Sequence, residues 1–547
     1  MNQSACSAVG RPRGPRQGAA VILMGIWVAV GLPSLPWLVE VSAARPNILL
    51  IIADDYGADS HPFYNSDPAA TFPPTPSLNR LFTNGVMFRN CYAYPTCSPT
   101  RSALLTGRYG FRTGIGYALE TTNDACLTAY ELTIPELLQS SGSGYACAMF
   151  GKWHTTLNTP DPNTIGGFPL FVGMIHGAFI PPTEGYFSWP LVSNNISSTC
   201  TNYATTEVTD QAAQWIAAQS PQSNWFCWVA YNAGHTPYHK PPDALCPTYA
   251  GLSGNALDIA THPRPYYEAS IEALDTEIGR LLTNVDLSTT LVLFLGDNGT
   301  LGSSPVTSQP IIQPPYSTDR GKGTLYEGGV RVPFFAAGAG VSNLMRVCTQ
   351  LVSVVDFFAT VMEVAGVDTS PYFGEARPLD SVSFAAALRE TNAAPARTWV
   401  LSENFSSHTE SNRVGRSVLD SRYKYLEFQD GTRGYYDLAE DPLELTNLYH
   451  HAFSPERSNH LAALQGNLTE LQNFPVFTQP ASPTGGTAVA FINDVSFQLW
   501  SATNLTATDD WTEIAGTTIT TNGDEVWFTL PPDDTATRAY RATAPAR

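Results

Sequence analysis

Four short apolar runs each stop at polar residues. NILLIIADD ends in Asp54 and Asp55, YACAMFGKWH in Lys152 and His154, WFCWVAYNAGH leads to His235, and TLVLFLGDNG ends in Asp297 and Asn298. Between such runs lie TEVTDQAAQWIAAQS, YYEASIEALDTEIGRLL and VSVVDFFATVMEVAG, with apolar residues at three- and four-residue spacing, the period of a half-buried helix. Apolar runs alternating with amphipathic helices up to about residue 395 predict an α/β domain, a large, mainly parallel sheet flanked by helices. In an open parallel sheet, ligands bind outside the carboxyl ends of the strands, so the polar residues that close these runs can share one site.

From Trp399 the pattern changes to strands and turns, as in SRYKYLEFQDGTRGYYDL, followed by one helix, NHLAALQGNLTELQ. This predicts a smaller antiparallel subdomain over residues 396–478, after the large α/β domain over 44–395. TQPASPTGGT reads as a linker. Beyond it VSFQLWS, WTEIAG and EVWFTL are strand candidates of a separate small β module over 484–547.

The first residues carry Arg11, Arg13 and Arg16, an apolar run, and Val41-Ser42-Ala43, the pattern of a cleaved export signal over residues 1–43. Pro33 and Pro36 interrupt the run before it reaches a comfortable spanning length, which argues against a membrane anchor once the signal is removed. The expected location is secreted or periplasmic. A formal net charge of -19 argues against nucleic acid as a partner. Nine cysteines, with Cys6 inside the signal, contain no CxxC pair, so metal–thiolate sites are not expected.

Asp54, Asp55, Asp297 and Asn298 offer only oxygen ligands, which suits a hard cation, calcium or magnesium, rather than zinc. Taken singly, each such pair also reads as a helix cap or turn at a strand end. Lys152, His154 and His235 would add cationic or donor groups to the same opening. RGKGTLYEGGVRVPF is Gly-rich and carries Lys322 and Arg331, a flexible backbone with cations for an anion.

One more stretch, CSPTRSALLTGR, places Cys97 at the start of a helix, with Ser98 read as N-cap, Pro99 as first helical residue and Gly107 as terminator. Backbone N–H groups and the positive end of the helix dipole favour an anion there and lower a thiol's pKa. A lone cysteine is otherwise ordinary core. The sum of divalent metal, several cations and a nucleophile candidate suits an ester of a tetrahedral, multiply charged oxyanion.

CSPTRSALLTGR resembles the first signature of the type I sulfatases, formylglycine-dependent, arylsulfatase-like members of the alkaline phosphatase superfamily, in which C-x-P-S/T-R directs oxidation of the cysteine to formylglycine. GYACAMFGKWH resembles their second signature, and ADD, GDNG and GKGTLYEGGVRVP follow in the family's order, from about Arg45 to YYDLAEDPLELTNL near residue 448. One departure lies in NAGHTPYHKP, where Gly234-His235 stands in place of the family's usual Pro-His.

The resemblance implies a sulfuric ester hydrolase that cleaves aryl or carbohydrate sulfate monoesters through a formylglycine hydrate at position 97 and one metal ion, calcium or magnesium. Asp54, Asp55, Asp297 and Asn298 would hold the ion, with residue 97 in contact with it. Arg101 would stabilise the hydrate and the ligand carboxylates, and Asp297 would serve as base for the attacking hydroxyl. Lys152 would bridge sulfate and hydrate. His154 would take the second hydroxyl's proton, and His235 and Lys322 would stand by the leaving oxygen. Implied partners are a sulfated small molecule or glycan and, during maturation, a formylglycine-generating enzyme. Two other readings stay open: a phosphate or phosphonate ester hydrolase of the same superfamily, and an inactive exported glycan-binding relative.

Overall fold

The computed structural model describes residues 45–120, 124–374, 377–405, 413–451 and 454–472, and further along only six strands between residues 487 and 543. The expected signal at 1–43 and the TQPASPTGGT linker, apart from its last residue Thr487, lie outside the described residues.

The main sheet contains β1 (Asn47–Ala53), β2 (Gly85–Tyr92), β3 (Ala146–Lys152), β4 (Leu170–Met174), β5 (Trp189–Ser193), β6 (Ile196–Cys200), β7 (Trp225–Ala230), β8 (Thr290–Gly296), β9 (Arg331–Gly338) and β10 (Arg346–Ser353). Its order is β10-β2-β9-β8-β1-β7-β3-β4-β5-β6. The run β8-β1-β7-β3-β4 is parallel throughout, as the sequence pattern predicts. The flanks are mixed: β9 lies antiparallel between β8 and β2, β10 is parallel to β2, and β5 and β6 add antiparallel strands at the far edge.

β1 shows why the runs are continuously apolar. Ile48, Leu50 and Ile52 enter the core on one face of the sheet, Leu49, Ile51 and Ala53 that on the other, and all six are fully buried. Each large aliphatic side chain so placed contributes roughly 2 kcal/mol of apolar burial. The helices Cys97–Thr106 and Asp356–Val364 cover the first face with Leu104, Leu105, Phe357 and Val361. Ala204–Ala217 and Pro263–Leu282 cover the second with Val208, Ile216, Leu274 and Ile278. The helix read into VSVVDFFATVMEVAG is shorter than its pattern, because Val352 and Ser353 complete β10.

β11 (Val400–Asn404), β12 (Gly415–Leu419), β13 (Tyr423–Phe428) and β14 (Arg433–Asp437) form a separate antiparallel sheet in chain order. Its Val418, Tyr423, Tyr425 and Tyr435 share the first core with Leu464 and Leu468 of the helix Pro455–Gln472, so this sheet is packed onto the large one. The last strands, β15 (Thr487–Phe491), β16 (Gln498–Ala502), β17 (Thr512–Glu513), β18 (Thr518–Asn522), β19 (Glu525–Thr529) and β20 (Ala539–Thr543), form two three-stranded antiparallel sheets. No helix among the described residues is long and apolar enough to cross a membrane.

Candidate active site

The four polar run-ends meet because β8, β1, β7 and β3 are adjacent and parallel. The end of β1 is stitched to both neighbours: Asp297 N donates to Ala53 O at 3.0 Å, Gly234 N to Asp54 O at 2.9 Å and Asp54 N to Ala233 O at 3.0 Å. β2 runs in the same direction as β8, so the segment after it delivers the Cys97 helix to this edge. β9 runs the opposite way, so the loop before it brings Lys322 there.

Helix formation begins at Cys97 itself, with Thr96 as an extended N-cap and no side-chain cap bond, so Ser98 and Pro99 lie two positions deeper than their pattern suggested. Ser98 Oγ is already used, accepting from Leu119 N at 3.1 Å. Gly107 ends the helix in the left-handed region, φ 68°, as expected.

Cys97 Sγ donates to Asp54 Oδ1 at 3.4 Å and accepts from Lys152 Nζ at 3.4 Å and Lys322 Nζ at 3.6 Å. The expected lowering of its pKa is reversed. Burial and then Asp54 outweigh both lysines and push the thiol up to about 12. Desolvating a thiolate on a fully buried residue costs more than the helix terminus and two ammoniums return.

Asp54 is held far below the usual carboxylate range: burial would raise it, but Lys152, His235, Arg101 and Lys322 together prevail. Its Oδ2 receives Lys152 Nζ at 2.5 Å. Asp55, in the left-handed region at φ 55°, pairs through Oδ1 with Lys322 Nζ at 2.5 Å and accepts from Asn298 Nδ2 at 2.8 Å. Asp297 Oδ2 takes Arg101 Nη2 at 2.7 Å, while Asp297 Oδ1 accepts from Asp55 N at 3.1 Å. Burial, then the charge of Asp54, raise Asp297 to about 6 against the pull of Arg101.

A cation fits this set. Ligand atoms of Asp54, Asp55, Cys97 and His235 all lie within 4.8 Å of one another. Asn298, whose Nδ2 donates to Asp55 of this cluster, has its Oδ1 buried with no hydrogen-bond partner among the described residues, an oxygen of the kind a hard cation takes.

His235 donates Nδ1–H to Thr236 O at 2.9 Å and turns Nε2 inward, 4.0 Å from Asp55 Oδ2. Burial and then Lys322 lower it to about 4. His154 stands apart from these ion pairs. Its Nε2–H donates to Leu119 O at 3.0 Å, and its buried Nδ1 has no partner among the described residues. Burial and then Lys152 keep it neutral, well below the ordinary histidine range. Gly177 lies against this ring so closely that a Cβ there would come within 2.1 Å of it.

Sequence reasoning missed the residues that hold these groups in place. Tyr186 OH donates to Asn232 O at 2.7 Å and to His235 O at 2.8 Å, fixing the His235 loop. Tyr267 OH donates to Asp55 O at 2.9 Å, and Asn404 Nδ2 to Gly323 O at 3.2 Å beside Lys322. Tyr186 lies in the loop between β4 and β5, where no periodic pattern singles it out. The other two lie far along the chain and carry no local signal.

A mixed α/β sheet with carboxylates, lysines and a buried cysteine gathered at one edge defines a class of protein suited to binding a metal ion and an oxyanion together. The particular family follows from comparison: the sulfatase family profile matches residues 46–367, and the profile described as N-sulphoglucosamine sulphohydrolase, C-terminal, matches 320–473. The chain belongs to the sulfatase family. Arylsulfatase J of Mus musculus is 28% identical over 338 residues, 59% of this chain and 53% of its own length. N-acetylgalactosamine-6-sulfatase of Homo sapiens is 30% identical over 353 residues, 59% of this chain and 62% of its own. The matches thus span between half and two thirds of these relatives. Among solved structures, BT4656 in complex with its substrate D-glucosamine-2-N,6-O-disulfate shares the fold, with a TM-score of 0.61, 18% identity and coverage of 78% of this chain and 97% of that one.

Proposed function

We propose that this chain hydrolyses sulfate monoesters of aryl alcohols or sugars, with the residue at position 97 acting as formylglycine and one bound calcium or magnesium ion. The observation that carries the reading is the setting of Cys97, at a helix start between Lys152 and Lys322. A thiol pushed up to about 12 is protonated at neutral pH and is a poor nucleophile as it stands. The hydrated aldehyde supplies one hydroxyl for attack on sulfur and a second on the same carbon through which sulfate is released. The metal ion supplies Lewis-acid polarisation of a sulfate oxygen when held by Asp54, Asp55, Asp297 and Asn298.

The remaining work falls to side chains of this chain. Lys152 and Lys322 flank residue 97 and neutralise the sulfate as it docks there. Arg101 holds Asp297 and, through Lys152 O at 2.8 Å, the end of β3. His154 Nδ1, buried and unprotonated, is a base for a proton released beside it. His235 Nε2 faces the site; burial first and Lys322 second lower it to about 4, and an anion docked there would raise it toward the protonated form that can hand a proton to the leaving oxygen. Specificity belongs to the segment 176–188, which runs from the His154 ring at Gly177 to the His235 loop at Tyr186 and exposes Ile180 and Phe187. The proposed setting is a secreted or periplasmic protein matured by a formylglycine-generating enzyme.

Peptide mass spectrometry and a turnover comparison test the reading. Position 97 should lack one sulfur and two hydrogens and carry one added oxygen, and aryl sulfate should be cleaved in preference to aryl phosphate. Unmodified thiol in fully active protein overturns the formylglycine reading, and preferred turnover of phosphate overturns the sulfatase reading.

A further inference from the structure

Lys424, on β13 of the small sheet, is fully buried with its charge intact. Its Nζ lies 3.1 Å from Glu327 Oε1 and 3.0 Å from Glu444 Oε1. Glu444 Oε2 in turn accepts from Glu327 N at 2.6 Å, and Tyr92 OH donates to Glu327 Oε2 at 3.3 Å. Glu444 adopts the left-handed region at φ 57°, an unfavourable backbone for glutamate that persists only where its surroundings impose it. A buried ion cluster is a poor source of stability compared with apolar side chains of the same volume, so its use here points to geometry rather than cohesion.

The cluster joins the small sheet to the loop that carries Lys322. Glu327 closes that loop, and Arg320 opens it, donating from Nη1 to Leu443 O at 2.9 Å and to Glu444 O while its guanidinium covers the Tyr326 ring at 4.5 Å. In the middle, Asn404 of β11 holds Gly323 O. From the large sheet's side the same loop is held by Lys322 N on Thr300 O at 2.9 Å and Gly323 N on Pro95 O at 2.8 Å. The Arg320 end of the segment 320–327 therefore rests on the stretch that follows β14, the Glu327 end on that stretch and on Lys424 of β13, and Lys322 projects from between them onto Asp55 and Cys97.

We propose that Lys424, Glu444 and Arg320 are positioning residues for Lys322, so that the antiparallel sheet sets the placement of a site cation from outside the site. The proposal rests on the reading of Lys322 as a group beside the sulfate and leaving oxygen. If its ammonium shifts by about 1 Å, up to about 100-fold in rate is at stake, and the loss falls hardest on esters whose leaving alcohol is a weak acid.

The test uses the full chain with a series of aryl sulfates of graded leaving-group acidity, and the variants R320M and K424M, each alone and combined with K322A. In the expected result each variant lowers kcat/KM more for poor leaving groups than for good ones, steepening the dependence as K322A does. Added to K322A, neither costs anything further, because the group they position is gone. Equal losses with and without Lys322, or losses uniform across the series, overturn the proposal. Full activity of K322A itself overturns the underlying reading instead, which separates the two failures. Circular dichroism checks folding, and should K424M fail to fold, the partly exposed R320M decides by the same criteria.

Discussion

Arg101 lays its guanidinium on a single oxygen of Asp297, with Nη2 at 2.7 Å and Nε at 3.2 Å from Oδ2, and both residues are fully buried. The arginine is one helical turn beyond Cys97, and the aspartate follows β8, so this pair locks the Cys97 helix to the carboxyl edge of the sheet. Replacing Arg101 by Met leaves Asp297 uncompensated beside Asp54 and should cost about 3–5 kcal/mol. Denaturant unfolding of R101M reads this loss. R101K should recover little of it, since an ammonium cannot reach Asp297 and Lys152 O together. A fully stable R101M refutes the role.

If Asn298 Oδ1 is a ligand atom, the protein gains stability from calcium or magnesium by mass action. At about 100 times Kd the gain is ~2.7 kcal/mol. Thermal unfolding against metal concentration should show a rising Tm that chelator abolishes. N298A should need more metal for the same rise, and metal-independent melting of the native protein contradicts the assignment.

Phe187 is 47% exposed, with its ring 5.2 Å from that of Tyr203. Stacking of a substrate ring on this aromatic is worth about 1 kcal/mol. F187A should therefore raise KM several-fold for aryl or glycan sulfates while kcat stays near the native value. Steady-state kinetics on both substrate types separates this outcome from a general loss of activity.

Glu403 on β11 is buried and accepts from Phe111 N at 3.2 Å. Burial raises it to about 7 against the pull of Arg416. A carboxyl raised on folding stabilises the protein fully below its unfolded value, and that contribution fades as pH climbs through the folded value. Between pH about 4.5 and 7 the native protein should lose up to about 3 kcal/mol from this group. E403Q, which still accepts from Phe111 N, should flatten that part of the Tm–pH curve. An unchanged slope in E403Q shows that Glu403 is not its source.

Much of this architecture is legible along the chain. The runs ending in Asp54, Lys152 and Asp297 announce their strands, because a strand buried on both faces must be apolar to its last residue and can turn polar only where it leaves the sheet. The four-residue spacing of Cys97 and Arg101 puts both on one helix face by local geometry alone. The antiparallel insertion of β9, the start of that helix at Cys97 with Thr96 as its N-cap and the inward turn of Tyr186 were not legible. Nor were Lys424 and Glu444, more than ninety residues beyond the lysine whose loop they hold.

The division has one physical cause. Periodicity and capping act over a few residues, so the sequence by itself determined the strands, the helices and the set of polar groups delivered to one edge of the sheet. Desolvation and charge pairing depend on what the fold packs around each group. Only the tertiary structure therefore decided that the Cys97 thiol is raised rather than lowered, that Asn298 Oδ1 has no hydrogen-bond partner among the described residues, and that the Lys322 loop is held by Asn404 and Lys424 of the second sheet.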